Sequence, residues 1–209
     1  MFFLLTTALL SSCRKDQEDP VNPQPPASTA YSFPVTDGSY WLYIQEQTDP
    51  SGNITQTGHI DSVYVDGDTV IGANTYKRIR TYMYPGAGWF PYYGVDCVRD
   101  SAGYLVHPDG SFIEHDNFTD TLAIDSMPGY YVSYFFMRHA DSIISVPAGS
   151  FTTIDYERTV YHTFPTYPYP SPRHTHNFLA NGIGKVKEVK YYFSQPGYIQ
   201  RRLVSYHIQ

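Results

Sequence analysis

Two histidines separated by one threonine form the most suggestive chemical pair in the sequence. On a β-strand, side chains at i and i+2 point to the same side, so His174 and His176 could share a metal ion. A third ligand could come from His162, His139 or Asp155. However, the pair follows a proline-rich stretch that predicts a long loop, and a closed zinc site needs four ligands. We therefore predict two solvated histidines, with no metal and no cofactor.

Two aromatic segments rich in Pro and Gly are the best candidates for a ligand-binding surface. Flat rings in such loops stack on a sugar face or on another protein. The rings that we predict as ligand contacts are Trp89, Tyr92, Tyr93, Tyr167 and Tyr169. The alternative is that these rings pack back over the edges of a sheet, because a folded chain must hide much aromatic area.

No motif in the sequence predicts a catalytic nucleophile. Neither the Gly-x-Ser-x-Gly turn nor the Ser-x-x-Lys motif of serine hydrolases is present. Cys97 could act as a nucleophile with His107 or His115, but its apolar neighbours favour a small buried thiol.

Paired carboxylates are the other possible catalytic feature, because glycosidases use two of them. Each pair in this sequence lies at i and i+2, where a surface strand places acidic residues without any catalytic role. The two carboxylates of a glycosidase normally come from separate elements. The pairs are Glu114 with Asp116, Asp155 with Glu157, and Asp66 with Asp68.

Residues 1–12 have the character of a secretion signal. They contain no charged residue, and residues 2–10 are apolar except for two threonines. Nine residues in a helix rise about 14 Å, roughly half of a bilayer core, so this segment is too short to span a membrane. A short apolar run at the N-terminus is typical of the central region of a signal peptide.

The next four residues, Leu10-Ser11-Ser12-Cys13, resemble the lipobox of bacterial lipoproteins. This resemblance implies cleavage before Cys13 and attachment of diacylglycerol to its sulfur, which anchors the protein to a membrane. The alternative is a plain signal peptide with an incidental cysteine. The charged residues 14–19 partly resemble the surface-export signal of Bacteroidetes lipoproteins, so a surface or a periplasmic location both remain open.

These features divide the chain into three parts: a signal peptide (residues 1–12), a lipidated cysteine with a flexible tether (13–30) and a folded domain (31–209). Residues 20–29 contain four prolines among small and polar residues. Such a segment forms an extended spacer of about 3 Å per residue, roughly 30 Å in all. A spacer of this kind would hold the folded domain away from the membrane.

Composition excludes several classes of protein. The chain has 209 residues, with 14 Lys and Arg against 20 Asp and Glu, and this acidic balance argues against nucleic-acid binding. Hydrophobic residues make up 42% and charged residues 16%, which argues against a disordered chain. Two cysteines cannot build a disulfide scaffold. The aromatic content of 17% favours strands over helices.

The pattern of the folded domain is that of β-strands. From residue 31 onward, short runs of Val, Ile, Thr, Tyr and Phe alternate with clusters of Gly, Pro, Asn and Asp. We predict an all-β fold: a single antiparallel domain of about ten to twelve strands, arranged as a curved sheet, a sandwich or a half-barrel. Residues 66–68 are predicted to form a turn. Residues 151–161 are predicted to form a strand whose polar side, including Asp155 and Glu157, faces water.

The last predicted strand, residues 198–208, has alternating apolar side chains. We predict that Val204, Tyr206 and Ile208 line its inner face.

Five blocks along the chain resemble uncharacterised β-rich secreted proteins and lipoproteins of Bacteroidetes. The resemblance implies an antiparallel β fold and a location in the cell envelope, and it implies no reaction. The blocks are GSYWLY from Gly38, VDGDTVIG from Val65, VRD from Val98 with YLV from Tyr104, VPAGSF from Val146 and GIGKVK from Gly182.

We therefore expect a lipid-anchored outer-membrane protein with a non-enzymatic binding or structural role. Its partners are the membrane, reached through the N-terminal lipid, and a glycan, a protein or a lipophilic molecule. One alternative is a glycosidase-like hydrolase of envelope polymers. Another is a carrier of lipophilic molecules, which requires an apolar cavity of several hundred Å³.

Overall fold

The computed structural model describes most of the predicted folded domain. The described residues are 33–84, 90–101, 104–114, 117–165, 167, 169–192 and 195–209. Signal peptide, Cys13 and tether lie outside these ranges, so the proposed division of the chain stays a prediction. Across the described ranges we find no helix of the length and hydropathy needed to cross a bilayer.

The described residues form twelve strands in one antiparallel sheet, which confirms the predicted fold class. The strands are β1 (Tyr40–Thr48), β2 (Ile54–Ile71), β3 (Asn74–Tyr84), β4 (Phe90–Ser101), β5 (Tyr104–Val106), β6 (Phe112–Glu114), β7 (Ala123–Met127), β8 (Tyr131–Val146), β9 (Gly149–His162), β10 (Arg173–Ala180), β11 (Gly184–Tyr191) and β12 (Tyr198–His207).

The order of strands in the sheet is β6-β5-β4-β3-β2-β1-β12-β11-β10-β9-β8-β7. The chain starts in the middle of the sheet, proceeds to one edge at β6, crosses to the other edge at β7 and returns to the middle. β1 and β12 therefore pair directly, with Tyr40 opposite His207. At this point the two ends of the domain meet, because the Gln209 backbone N–H donates to Ser39 Oγ at 3.2 Å.

The connection between the two edges requires the sheet to curl. Twelve flat strands spaced about 4.8 Å apart would place β6 and β7 about 53 Å from each other. The chain from Glu114 to Ala123 has nine residue steps of at most about 3.6 Å, so it reaches about 32 Å. The sheet forms a curled half-barrel, which brings the two edges within this reach and was one of the three predicted arrangements.

The hydrophobic core lies on the inner face of the half-barrel, at one end of the strands. Trp41 is fully buried there, and its indole Nε1–H donates to the Ile183 carbonyl at 2.6 Å. The Phe33 ring stacks on Trp41 with centroids 4.9 Å apart. The β8–β9 turn packs on the same end, because the Ala148 N–H donates to the Leu203 carbonyl at 3.0 Å.

One predicted turn is a bulge inside a long strand. Residues 66–68 belong to β2, which continues through them and shifts its register against β3 between Val65 and Asp68. Gly67 has φ of 68°, a value that a glycine adopts without strain. Arg78 Nε donates to the Asp66 carbonyl at 2.9 Å. This hydrogen bond satisfies a backbone carbonyl that the bulge removes from the regular pairing with β3.

A second bulge makes the predicted inner face of β12 partly wrong. Leu42 pairs with Ser205 and Tyr43 pairs with Leu203, so the register shifts at this point. As a result Val204 falls at the bulge and is 39% exposed, whereas Leu203 is fully buried in the core. Tyr206 pairs with the buried Trp41 and therefore lies on the predicted inner face, although it is 37% exposed. Ile208 packs against the core as predicted.

Candidate functional site

A charged cavity of about 430 Å³ adjoins the core on the inner face. Three basic and three acidic side chains from the four strands β2, β4, β11 and β12 line it. They are Lys185, Lys190, Arg201, Asp61, Asp96 and Glu188. Since side chains alternate along each strand, Asp61, Asp96, Glu188 and Arg201 continue the rows of the core residues Val63, Val98, Val186 and Leu203 along their strands.

Arg201 is the central cation of this cavity. Its Nε lies 2.6 Å from the Asp61 carboxylate and its Nη1 3.5 Å from that of Glu188. The guanidinium lies over the Tyr43 ring at 4.7 Å from the centroid. The side chain is 20% exposed, and its buried Nη2 has no hydrogen-bond partner among the described residues. Arg201 therefore keeps one guanidinium nitrogen beside the cavity without an acceptor among the described residues.

The surroundings of Glu188 keep it ionised. Its side chain is 5% exposed, and Lys185 Nζ and Lys190 Nζ lie 2.9 and 3.1 Å from its Oε1. Burial alone would raise the pKa of Glu188, but Lys185, Lys190 and Arg201 outweigh burial and hold this pKa well below its usual range. A carboxylate in this state cannot act as the general acid of a glycosidase at neutral pH.

Burial raises the pKa of an acidic side chain but lowers the pKa of a basic one, because it disfavours the charged form of each. Desolvation lowers the pKa of Lys185 despite its contact with Glu188. Desolvation also opposes the charge of Arg201, but Glu188 and Asp61 outweigh it and raise the pKa of Arg201. The cavity thus contains the guanidinium of Arg201, which stays protonated, and beside it Lys185, whose protonated form is disfavoured by burial.

This lining suits a polar ligand. Gln45 donates its side-chain amide to both Asp61 carboxylate oxygens, at 3.2 and 3.1 Å, and adds a further polar group to the wall. Charged groups packed against a hydrocarbon chain lose hydration without compensation. The inner cavity therefore does not match the apolar cavity that the lipid-carrier alternative requires.

The structure places His174 and His176 on a strand, so the predicted loop is wrong. β10 lies between β9 and β11, and both neighbours pair with it. The proline-rich stretch ends at Pro172. The residues that follow are not prolines, so each has a backbone N–H that can donate to a neighbouring strand, and they pair regularly with β9 and β11. Neither histidine is exposed as a solvated loop residue would be, because both are half-buried.

The two histidines lie beside two carboxylates of β9. His176 Nδ1 is 2.7 Å from Asp155 Oδ2, and His174 Nδ1 is 2.9 Å from Glu157 Oε1. Asp155 was one of the three predicted third ligands. Of the other two, His162 stacks on Tyr167 at 3.6 Å between centroids, and the side chain of His139 lies outside the described residues.

We call Asp155, Glu157, His174 and His176 the histidine–carboxylate cluster. Its position on the outer face follows from strand pairing. His176 pairs with Val189 and Val189 with Gln200, whereas Asn177 pairs with Glu188 and Glu188 with Arg201. Directly paired residues share a face of the sheet, so the cluster and the charged cavity lie on opposite faces.

The polar side of β9 is less exposed than the predicted water-facing side. Thr153 and Thr159 are buried, and Asp155 and Glu157 are half-buried. Burial would raise the pKa of Glu157, but hydrogen bonds from Thr159, His174 and Arg138 outweigh it and lower this pKa to about 2. Glu157, like Glu188, is therefore ionised at neutral pH and unsuited to act as a general acid.

An open aromatic groove of about 580 Å³ borders the cluster on β8 and β9. Tyr134, Phe136 and Tyr161 line it together with Glu157 and His174. The groove was not predicted from the sequence. Tyr134 and Phe136 are two residues apart, so a strand places both rings on one face. This spacing could have indicated an aromatic surface, but it predicts a groove only once β8 is known to pair with β9.

The predicted aromatic contacts are only partly within the described residues. Trp89 lies outside them, and Tyr92 and Tyr93 lie on β4 with side chains that are not described. Tyr167 and Tyr169 pack edge to face with centroids 5.5 Å apart, and both are half-buried. Tyr167 packs back onto His162 of β9, Tyr169 packs against Tyr167, and the role of both as ligand contacts stays a prediction.

The remaining catalytic candidates show no assembled site. Cys97 lies half-buried on β4 opposite Arg78, and it is a free thiol. The Glu114 side chain and all of Asp116 lie outside the described residues. Asp155 and Glu157 share one face of one strand, so they do not oppose each other across a cleft.

Comparison with known proteins adds a fold relationship. No family model matches the chain, and no curated protein matches it. The structure is similar to that of a protein from Bacteroides fragilis, provisionally described as an exported protein with a YmcC-like fold. Its TM-score is 0.53 at 14% identity, over 86% of this chain and 100% of that one. At this level of identity the similarity is one of fold alone.

A second solved structure, provisionally described as a lipoprotein from Parabacteroides distasonis, is also similar. The TM-score is 0.42 at 13% identity, over 85% of this chain and 99% of that one.

Proposed function

We propose that this protein is a lipid-anchored component of the cell envelope that binds a polar, hydroxyl-bearing ligand of the glycan class in its inner cavity. The observation that carries the proposal is the buried Arg201 Nη2, a donor with no partner in the part of the chain that the structure describes, on a residue that lines a cavity of about 430 Å³. Unsatisfied buried donors are costly, so a group that accepts a hydrogen bond there gains binding energy.

The chemistry of the wall favours a glycan over an acyl chain or a simple anion. Basic and acidic side chains are equally represented among the charged lining residues. A sugar hydroxyl both donates and accepts, so it can pair with Arg201 and with Asp61 or Glu188 at the same time. Trp89, Tyr92 and Tyr93 remain proposed contacts, since aromatic rings stack on sugar faces.

Two observations support a location in the envelope. Cys13 lies in a lipobox-like sequence after an apolar segment, and the Bacteroides fragilis protein of similar fold is described as exported. The extended spacer formed by residues 20–29 would hold the half-barrel away from the outer membrane, on either the periplasmic or the outer side of that membrane.

A binding role fits the electrostatics better than hydrolysis. A glycosidase needs one protonated and one ionised carboxyl group. Neighbouring groups hold the pKa values of Glu188 and Glu157 below their ordinary values, which favours the ionised state of both.

Thermal unfolding with added ligands tests the proposal. Residues 30–209, which contain all twelve strands, are screened against envelope glycans, fatty acids and divalent metals. A ligand at a hundred times its Kd adds about 2.7 kcal/mol to stability. We expect a glycan to raise the Tm, and Arg201→Gln to abolish this rise.

Arg202→Gln is the matched control, because Arg202 follows Arg201 in β12 but contacts Glu46 on the outer face. It should leave the glycan-dependent rise in Tm unchanged. A rise with fatty acids alone, or an equal loss in both variants, would contradict glycan binding in the cavity. No rise with any class would favour a protein partner.

A further inference from the structure

We propose that Asp155, Glu157 and His176 bind a divalent transition-metal ion, with Zn²⁺ as the best match to the ligand types. The site lies on the outer face of β9 and β10, apart from the cavity in which we place the glycan. The inference does not depend on the proposed glycan binding.

The geometry brings three ligand atoms together. One atom each from Asp155, Glu157 and His176 lie within 4.8 Å of one another. Ligand atoms bound to tetrahedral zinc at about 2.0–2.2 Å lie about 3.3–3.6 Å apart, so side-chain rotations that bring the atoms roughly 1 Å closer form the site. The backbone already fixes the arrangement, because His176 pairs with Glu157 across the ladder and Asp155 lies two residues away on the same face.

An independent observation points to a missing partner at this place. Asp155 Oδ1 is buried and has no hydrogen-bond partner among the described residues, although the other oxygen accepts from His176. The Asp155 side chain is only 14% exposed. A buried carboxylate oxygen without a donor costs free energy, and a bound cation would remove this cost.

The local charge also favours a cation. Asp155 and Glu157 carry two negative charges, and Arg138 neutralises one of them through its 3.0 Å contact with Glu157 Oε2. Lys187 is a more distant cation that acts on His176. Arg138 also lies directly opposite Asp155 in the β8–β9 ladder, so one arginine faces two carboxylates and one negative charge remains when the histidines are neutral.

His174 supplies a second imidazole next to the three ligands. Its Nδ1 lies 2.9 Å from Glu157 Oε1, and its ring stacks on that of His176 at 6.1 Å between centroids. Two imidazoles and two carboxylates are a ligand set that zinc accepts. Because Glu157 and His174 also line the aromatic groove, an ion here would have one side toward a groove that can admit water or a ligand oxygen.

Metal titration of the full chain, purified in detergent and stripped with a chelator, tests the site. Zn²⁺ is titrated in competition with a chromogenic chelator, and Co²⁺ binding is followed by its visible absorption. We expect one equivalent of Zn²⁺ to bind. His176→Ala and Asp155→Asn should each weaken binding at least tenfold and alter the Co²⁺ spectrum.

His207→Ala is the control, because His207 is an exposed histidine at the end of β12. Asp155→Asn keeps the size of the side chain, so it tests the site even if His176→Ala unfolds the sheet. The proposal is overturned if Zn²⁺ does not bind, if Asp155→Asn binds with full affinity, or if His207→Ala weakens binding equally. The last result would indicate adventitious binding to surface histidines.

Discussion

Adjacent residues of the same type have different roles in this sheet. Arg201 and Arg202 follow each other in β12, and strand alternation turns them to opposite faces. Arg201 contacts Asp61 and Glu188 in the inner cavity, whereas Arg202 Nη1 donates to Glu46 Oε1 at 3.0 Å on the outer face. A single bulge in β12 or β1 decides which arginine enters the cavity, so composition alone cannot identify it.

Glu188 should make the protein sensitive to acid. Its pKa in the folded state lies below the ordinary 4.5, so it contributes stability that is present above about pH 4.5 and is lost as the pH falls toward the folded pKa. We expect the free energy of unfolding of the unmodified protein to fall between pH 5 and pH 3. Glu188→Gln should be less stable at pH 7 and should lose less stability over this range.

Urea denaturation at each pH measures both effects. If the curves of stability against pH run parallel for Glu188→Gln and the unmodified protein, Glu188 is not the source of the acid sensitivity.

At the scale of elements, strand content was predictable and register was not. Runs of β-branched and aromatic residues between turn residues identify most strands, because this pattern depends on local chemistry. The bulge at Gly67 and the register shift at Leu203 depend on a partner strand, so the sequence predicted a turn at the first and placed Val204 on the wrong face at the second. β10 was missed because its polar histidines follow prolines.

The turn between β11 and β12 should tolerate no side chain at Gly197. This residue has φ of +102°, and an added Cβ would lie 2.5 Å from the Thr48 carbonyl oxygen. Gly52, in the turn between β1 and β2, has φ of +86° with nothing within 4 Å of such a Cβ. Gly52→Ala should therefore cost about 1–2 kcal/mol for backbone strain alone, and Gly197→Ala should cost more.

Urea unfolding of both glycine variants provides the measurement. Equal losses of stability would show that the turn after β11 moves away from Thr48 at little cost.

At the scale of the whole molecule, the site could not be predicted because distant segments build it. Asp61 comes from β2, while Glu188 and Arg201 come from β11 and β12. The pairing of β11 with β12 brings Glu188 beside Arg201, but no spacing rule links Asp61 to them, and the pairing of β1 with β12 brings β2 close to these two strands. The histidine pair was recognisable from its spacing, but its carboxylate partners became evident only from the pairing of β9 with β10.

Membrane attachment should depend on one of the two cysteines. Cys13→Ser is expected to abolish incorporation of an alkyne-tagged fatty acid and to release the protein from the membrane fraction. Cys97→Ser is the matched control, since Cys97 is a half-buried thiol of β4 and should leave both unchanged. Incorporation of the tag into Cys13→Ser would show that the lipid is attached elsewhere.

The order of strands also has a consequence for the time course of folding. Among the described strands, β1 and β12 are the one pair of sheet neighbours that are far apart in the chain. Hairpins between strands that are consecutive in the chain form in microseconds. Pairing two distant strands closes a long loop, which has a larger entropic cost and is therefore slower. We expect two six-stranded meanders to form first and to join slowly along β1 and β12. The protein would then acquire its charged cavity only in the final step.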